Sequence, residues 1–85
     1  MREITIDCRG FVPRNDLHKA LADALSFPDW YGRNLDALHD VLTDIRTDTT
    51  LILQNFDLTD PENEGFRLVL EDSMEDNPHL TVLFV

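Results

Sequence analysis

Asp36, His39 and Asp40 fall at i, i+3 and i+4 of the segment Asn34 to Thr43, so a helix there carries both carboxylates and the imidazole on its exposed side. Three chemistries use such a set. A metal site would need further ligands from a second element and an ordered outer shell. Acid–base work on a sugar would need an enclosed cleft between two carboxyls, which one helix face does not offer. The third use is a binding face for a cationic partner, with Trp30 or Tyr31 just upstream as an aromatic anchor. The plain alternative is a solvated helix face with an aromatic pair tucked beneath it. Like charges four residues apart repel, so a helix built only for stability avoids them. Asp36 partly escapes this cost in the first turn, where negative charge is welcome, and Asp40 does not. The sequence signals no nucleophile–base pair. Its three glycines stand isolated at positions 10, 32 and 65, so there is no phosphate-cradling loop.

The elements that hold this face follow from local pattern. Pro28 fixes its own φ and pushes Phe27 out of the helical region, so the stretch from Phe27 opens as a loop. Gly32 marks a tight bend, and Asn34 is a good N-cap. Leu35, Leu38, Val41, Leu42 and Ile45 then form one apolar face. Upstream, Ile4, Ile6 and Cys8 alternate with Thr5 and Asp7, as in a half-buried strand over Arg2 to Cys8. Arg9 to Arg14 reads as a turn, and Asn15 as the cap of a helix with Leu17, Ala20, Leu21, Ala24 and Leu25 in a stripe. His18 lies beside that stripe and reads as a surface or capping group. A second strand covers roughly Thr50 to Asn55. Asp57 to Glu64 is an acidic loop in which Asp60 and Pro61 look like an N-cap and first helical position. Phe66, Val69, Leu70 and Ser73 keep helical spacing, with Glu71, Asp72, Glu75 and Asp76 outside. Asn77 and Pro78 stop that helix, and Leu80 to Val85 reads as a well-buried third strand. Strands separated by helices imply an α/β domain with parallel pairing through right-handed crossovers. Residues 1–85 fit a single domain.

Seventeen acidic residues oppose seven basic ones, a net charge of −10. That argues against direct nucleic-acid binding and for a basic partner drawn in over long range. Cys8 is the lone cysteine and suits a reducing compartment. Arg2 and Glu3 interrupt any leader pattern, and no stretch approaches transmembrane length, so a cytoplasmic location and no membrane partner are expected.

Asn15-Asp16-Leu17-His18, then Leu21, Leu25 and Pro28, then Tyr31-Gly32, Asn34-Leu35-Asp36-Ala37-Leu38 and Asp40-Val41-Leu42-Thr43 resemble the barstar family, intracellular inhibitors of barnase-type ribonucleases. The match runs without a gap from Asn15 to Thr43, and a weaker one covers the acidic last helix and final strand. The resemblance implies a two-layer fold, with a three-stranded parallel sheet in order 1-2-3 and the helices packed on one side. It implies a one-to-one complex with a small basic ribonuclease and no cofactor. Asp40 would enter the enzyme's phosphate site, Asp36 would meet a basic residue near the base-recognition region, and Trp30 would stack on the catalytic histidine. Gly32 and Asn34 would lie in the same contact loop, and Asp72 would add a second charge pair. The full candidate partner-binding set is Trp30, Tyr31, Gly32, Arg33, Asn34, Asp36, His39, Asp40, Thr43, Asp72 and Asp76. Four positions depart from the family pattern. His39 and Ile45 stand for tryptophans, Arg33 for an acidic residue, and Trp30 for tyrosine. The alternative function is an acidic adaptor of the same fold that binds another basic protein or toxin.

Overall fold

The computed structural model describes residues 2–10 and 15–85. Residues 11–14 of the turn expected over Arg9 to Arg14, and the capping side chain expected of Asn15, lie outside that description. Strand β1 (Arg2–Asp7) is followed by helices α1 (Asn15–Leu25) and α2 (Leu35–Thr43), strand β2 (Thr49–Gln54), a 3-10 turn (Pro61–Asn63), helix α3 (Glu64–Asp76) and strand β3 (Leu80–Phe84). The three strands form one parallel sheet in the order β1-β2-β3.

Register explains which face is covered. Ile4 pairs with Leu51 and Leu51 with Val82, while Ile6 pairs with Leu53 and Leu53 with Phe84. These residues point to one face and merge with Leu21 and Leu25 of α1, Leu38 and Leu42 of α2, and Phe66 and Leu70 of α3 in a single core. The intervening row, Thr5, Ile52 and Leu83, faces the other way, and Leu83 is 45% exposed. Leu80–Phe84 is therefore not the well-buried strand that its apolar run suggests. It alternates like β1, because the described helices pack on the opposite face of the sheet.

Helix α3 also begins later than expected. Asp60 does cap, accepting from the Glu62 N–H at 3.0 Å, but the element it starts is the 3-10 turn, and the α-helix proper opens at Glu64. Helices α2 and α3 lie side by side and run the same way. At their N-terminal ends Gly65 sits so close to α2 that a Cβ there would meet Leu35 Cδ1 at 2.8 Å. At their C-terminal ends the buried Asn77 amide donates to the carbonyls of Leu42 (2.9 Å) and Ile45 (3.0 Å), closing off α2. Asn77 Oδ1 in turn accepts from the His79 N–H at 2.9 Å, which ties the end of α2 to the entry of β3.

Candidate partner-binding site

The loop from Ser26 to Asn34 is shaped by backbone bonds that sequence pattern does not reveal. Phe27 N–H donates to Ala22 C=O at 3.0 Å across the end of α1, and Ser26 takes the left-handed conformation with φ 55°. This is the Schellman closure, here with serine where glycine is usual. Tyr31 N–H then donates to Pro28 C=O at 3.0 Å, folding Pro28–Tyr31 into a four-residue turn with Trp30 at its tip. The turn separates the two aromatic neighbours. Trp30 is 72% exposed, whereas Tyr31 is 9% exposed and packs edge-on against Phe27 with ring centroids 4.9 Å apart. Of the two candidate anchors, only Trp30 stands in solvent.

The Tyr31 hydroxyl shares a short hydrogen bond with Nδ1 of His18. His18 is not the surface or capping group expected of it. It is 3% exposed, and its ring tilts against Phe66 at 4.8 Å. Burial, with the Arg33 charge as a smaller contribution, lowers the His18 pKa below the ordinary 6.5. Burial likewise pushes Tyr31 up to about 12. The pair is thus held neutral, as a hydrogen-bonded post beneath the loop.

Gly32 is not the left-handed bend that its type suggests. That conformation belongs to Arg33, with φ 52°. Glycine is nevertheless favoured by space, because a Cβ at position 32 would meet the Asn34 amide at 2.9 Å and push on the capping side chain. The amide needs that room. Asn34 Oδ1 accepts from the Ala37 N–H at 2.8 Å and caps α2 as expected. Helix α2 ends at Thr43, with Asp44 as its C-cap, so Ile45 packs on the core from beyond the helix.

The cap and the buried Leu38, Val41 and Leu42 fix the outer face of α2. Asp36 and Asp40 are exposed, and neither carboxylate has a hydrogen-bond or ion-pair partner among the described residues. His39, partly buried, reaches across to Asp76 of α3 at 3.0 Å between Nε2 and Oδ2. Asp72 is exposed one turn earlier on the same helix. Thr43 turns its hydroxyl back on its own helix, donating to His39 C=O at 2.8 Å. Trp30, Gly32, Arg33, Asn34, Asp36 and Asp40 thus share the loop and exposed face of α2, with Asp72 and Asp76 on the neighbouring helix. Tyr31 lies beneath as support.

Among the described residues, clefts lie on both sides of α2. The larger, about 520 Å³, lies near the start of α3, with His18, Arg33, Asp36, Glu62 and Phe66 among its walls. The smaller, about 160 Å³, lies toward α1 and has Trp30, Asp40 and Asp44 on it. Asp44 and Glu62 are absent from the expected set. The signal for Asp44 was available, because Asp36, Asp40 and Asp44 repeat every four residues. Glu62 reaches the site only through the fold of the acidic loop. Among the described residues no group of three or more His, Cys, Asp or Glu side chains could hold a metal ion.

A three-stranded parallel sheet in the order β1-β2-β3 with its helices on one face is the fold of a barstar-like domain. The sequence agrees: the family described as Barstar (barnase inhibitor) matches residues 1–81, and the chain belongs to that family. A protein of Bacillus subtilis (strain 168) named "Putative ribonuclease inhibitor YrdF" is 52% identical to it over 60 residues. That match covers 69% of this chain and 66% of the relative, so the chain spans just under two thirds of that protein's length.

Proposed function

We propose that this protein is a stoichiometric inhibitor of a small basic ribonuclease, and that it blocks the active site by occupancy. The observation that carries the reading is the pair Asp36 and Asp40, exposed, without a partner among the described residues and mounted on a capped, core-packed helix. A ribonuclease cleft must neutralise phosphate, so it gathers cationic side chains around a concavity. Carboxylates on a rigid helix imitate those phosphates and offer no bond to cleave. Rigidity matters because little ordering cost remains to be met on binding. Asp40 enters the phosphate site, Asp36 pairs with a basic group at its edge, and Trp30 stacks on an imidazole. Gly32, Arg33 and Asn34 line the contact loop, and His39, Thr43, Asp72 and Asp76 complete the rim. The family and the name of the Bacillus relative support this reading. The net charge of −10 supports a basic partner. The lone cysteine supports a cytoplasmic site of action.

Titration against a panel of small basic microbial ribonucleases tests the proposal. RNA cleavage should vanish at one inhibitor per enzyme. A panel left fully active, together with capture of a basic protein that is no nuclease, would replace inhibition with the adaptor role.

A further inference from the structure

The two edges of the sheet differ in chemistry. Strand β1 carries Arg2, Glu3 and Asp7, and charges of this kind keep an exposed edge from pairing with another chain. Strand β3 and the residue after it read Leu80-Thr81-Val82-Leu83-Phe84-Val85, with no charge and no proline. Its register on β2 runs without a bulge, so no kink turns it away. The usual devices that blunt a sheet edge are lacking on this strand.

The ladder fixes which backbone groups lie on that edge. His79 C=O accepts from the Thr49 N–H at 2.8 Å, and the Val85 N–H donates to Leu53 C=O at 3.0 Å. His79, Thr81, Leu83 and Val85 therefore turn their backbone toward β2, and Leu80, Val82 and Phe84 turn theirs away. The three outward N–H groups fare differently. Leu80 N–H donates to Asn77 C=O at 3.1 Å, within the turn that enters the strand. Val82 N–H meets the Met74 sulfur of α3 at 3.2 Å. Phe84 N–H has no partner among the described residues. A thioether is a weak acceptor on a flexible stem, so Met74 yields readily to a carbonyl.

A basic partner finds no anion on this strand, whereas a second copy of it brings no charge and offers the same groups in return. We propose that β3 is the edge through which two copies of this chain pair, antiparallel about a two-fold axis at Val82, so that two three-stranded sheets become one continuous sheet. Val82 exchanges both hydrogen bonds with Val82 of the second copy, and Phe84 N–H reaches Leu80 C=O across the axis. Thr81 falls opposite Leu83 of the second copy in a non-hydrogen-bonded pair, where side chains approach closely. Leu83, 45% exposed in the single chain, is thereby partly covered. One strand pair buries little area, so the dimer is weak and forms at high concentration. The helix that carries Asp36 and Asp40 takes no part in it, so pairing and inhibition stand or fall separately.

Sedimentation equilibrium on the whole chain should show reversible dimers. They should be tighter at ~1 M than at ~0.1 M salt, because screening relieves the repulsion between two acidic molecules. Hydrogen exchange at the Phe84 amide should slow as the protein concentration rises. Thr81→Lys combined with Leu83→Lys sets like charges opposite each other across the axis, and should weaken the dimer about tenfold through two such pairs. Thr81→Glu combined with Leu83→Lys sets opposite charges at the same places and should restore it. The double-lysine variant is the less acidic of the two, so general repulsion alone would rank them the other way. Both positions are exposed, and urea curves check that each variant folds. Should either fail to fold, Phe84 exchange in the unaltered chain still decides. A chain monomeric at every concentration and salt, dimers that loosen with salt, a Phe84 amide indifferent to concentration, or equal association of the two double variants would each overturn the assignment.

Discussion

Asp57, in the loop after β2, and Asp36, in the first turn of α2, are both exposed carboxylates, and they are bonded in opposite ways. Asp57 Oδ1 accepts from the Thr59 N–H at 2.9 Å and from the Thr59 hydroxyl at 2.6 Å. Asp60 behaves similarly toward Glu62, and Asp7 accepts from the Arg9 N–H, the Arg9 guanidinium and the Asn55 amide. These acids organise their own chain. Asp36 and Asp40 organise nothing among the described residues. The acidity of the protein thus has two sources. One share of it shapes turns, and the other is held out from a rigid helix with its bonding capacity unspent. Net charge does not distinguish the two; the bonding of each carboxylate does.

The sharpest way to break this comparison is Asp40→Ala. It removes a repelled charge and installs a better helix former, so the free protein should keep its stability within about 0.5 kcal/mol. Affinity for the ribonuclease should fall at least ~100-fold, or about 2.7 kcal/mol, because truncation also strands the enzyme's cations. Inhibition constants and urea curves measured on one preparation decide it. Asp60→Ala should do the reverse. Loss of a cap costs about 1 kcal/mol of stability, while inhibition per folded molecule stays unchanged. A drop in affinity with intact folding would move Asp60 into the other class.

Acid sharpens the comparison. Chiefly through the Arg9 backbone bond, then the Asn55 and Arg9 side chains, Asp7 is lowered from 3.8 to about 2. A carboxylate lowered on folding contributes stability above its unfolded value, and that contribution is lost as pH falls from 3.8 to 2. Asp7→Asn should flatten the stability profile in that window, and an unaltered profile would remove Asp7 from the structural class. His18 acts at milder pH. Because folding lowers its pKa, the unfolded chain takes up the proton first, and stability declines as pH falls below 6.5. His18→Gln should abolish that part of the slope, whatever its own stability. The smallest effect belongs to Thr43→Ala. Its hydroxyl already serves the helix backbone, so affinity should change less than about threefold.

Where a feature depends on neighbours in sequence, it was legible. The Asn34 cap, the apolar stripe of α2 and the alternation of β1 each repeat within a few residues, and each is present. The exposed carboxylate face follows from the same period. Features decided at a distance were not legible. Trp30 and Tyr31 are adjacent, and it is the contact of Tyr31 with His18, 13 residues away, that holds one ring inward while the other stays outside. The Asn77 amide answers carbonyls 35 and 32 residues away. The exposure of Leu83 depends on which face of the sheet the described helices cover, not on its own apolar run. At position 32 the chain favours glycine for room rather than for φ, and no local pattern separates those reasons.

The register of β1 on β2 also sets an order of events in time. Arg2 pairs with Thr49, and Asp7 with Gln54, so the first sheet contact closes a loop that contains α1, the Trp30 turn and α2. Pairings so remote in sequence form slowly, after local helices have begun to flicker. During synthesis, β1 has no partner until residue 54 has left the ribosome. The acidic helix therefore emerges before the sheet that will hold it, and a nascent chain can display Asp36 and Asp40 without yet presenting them as a surface.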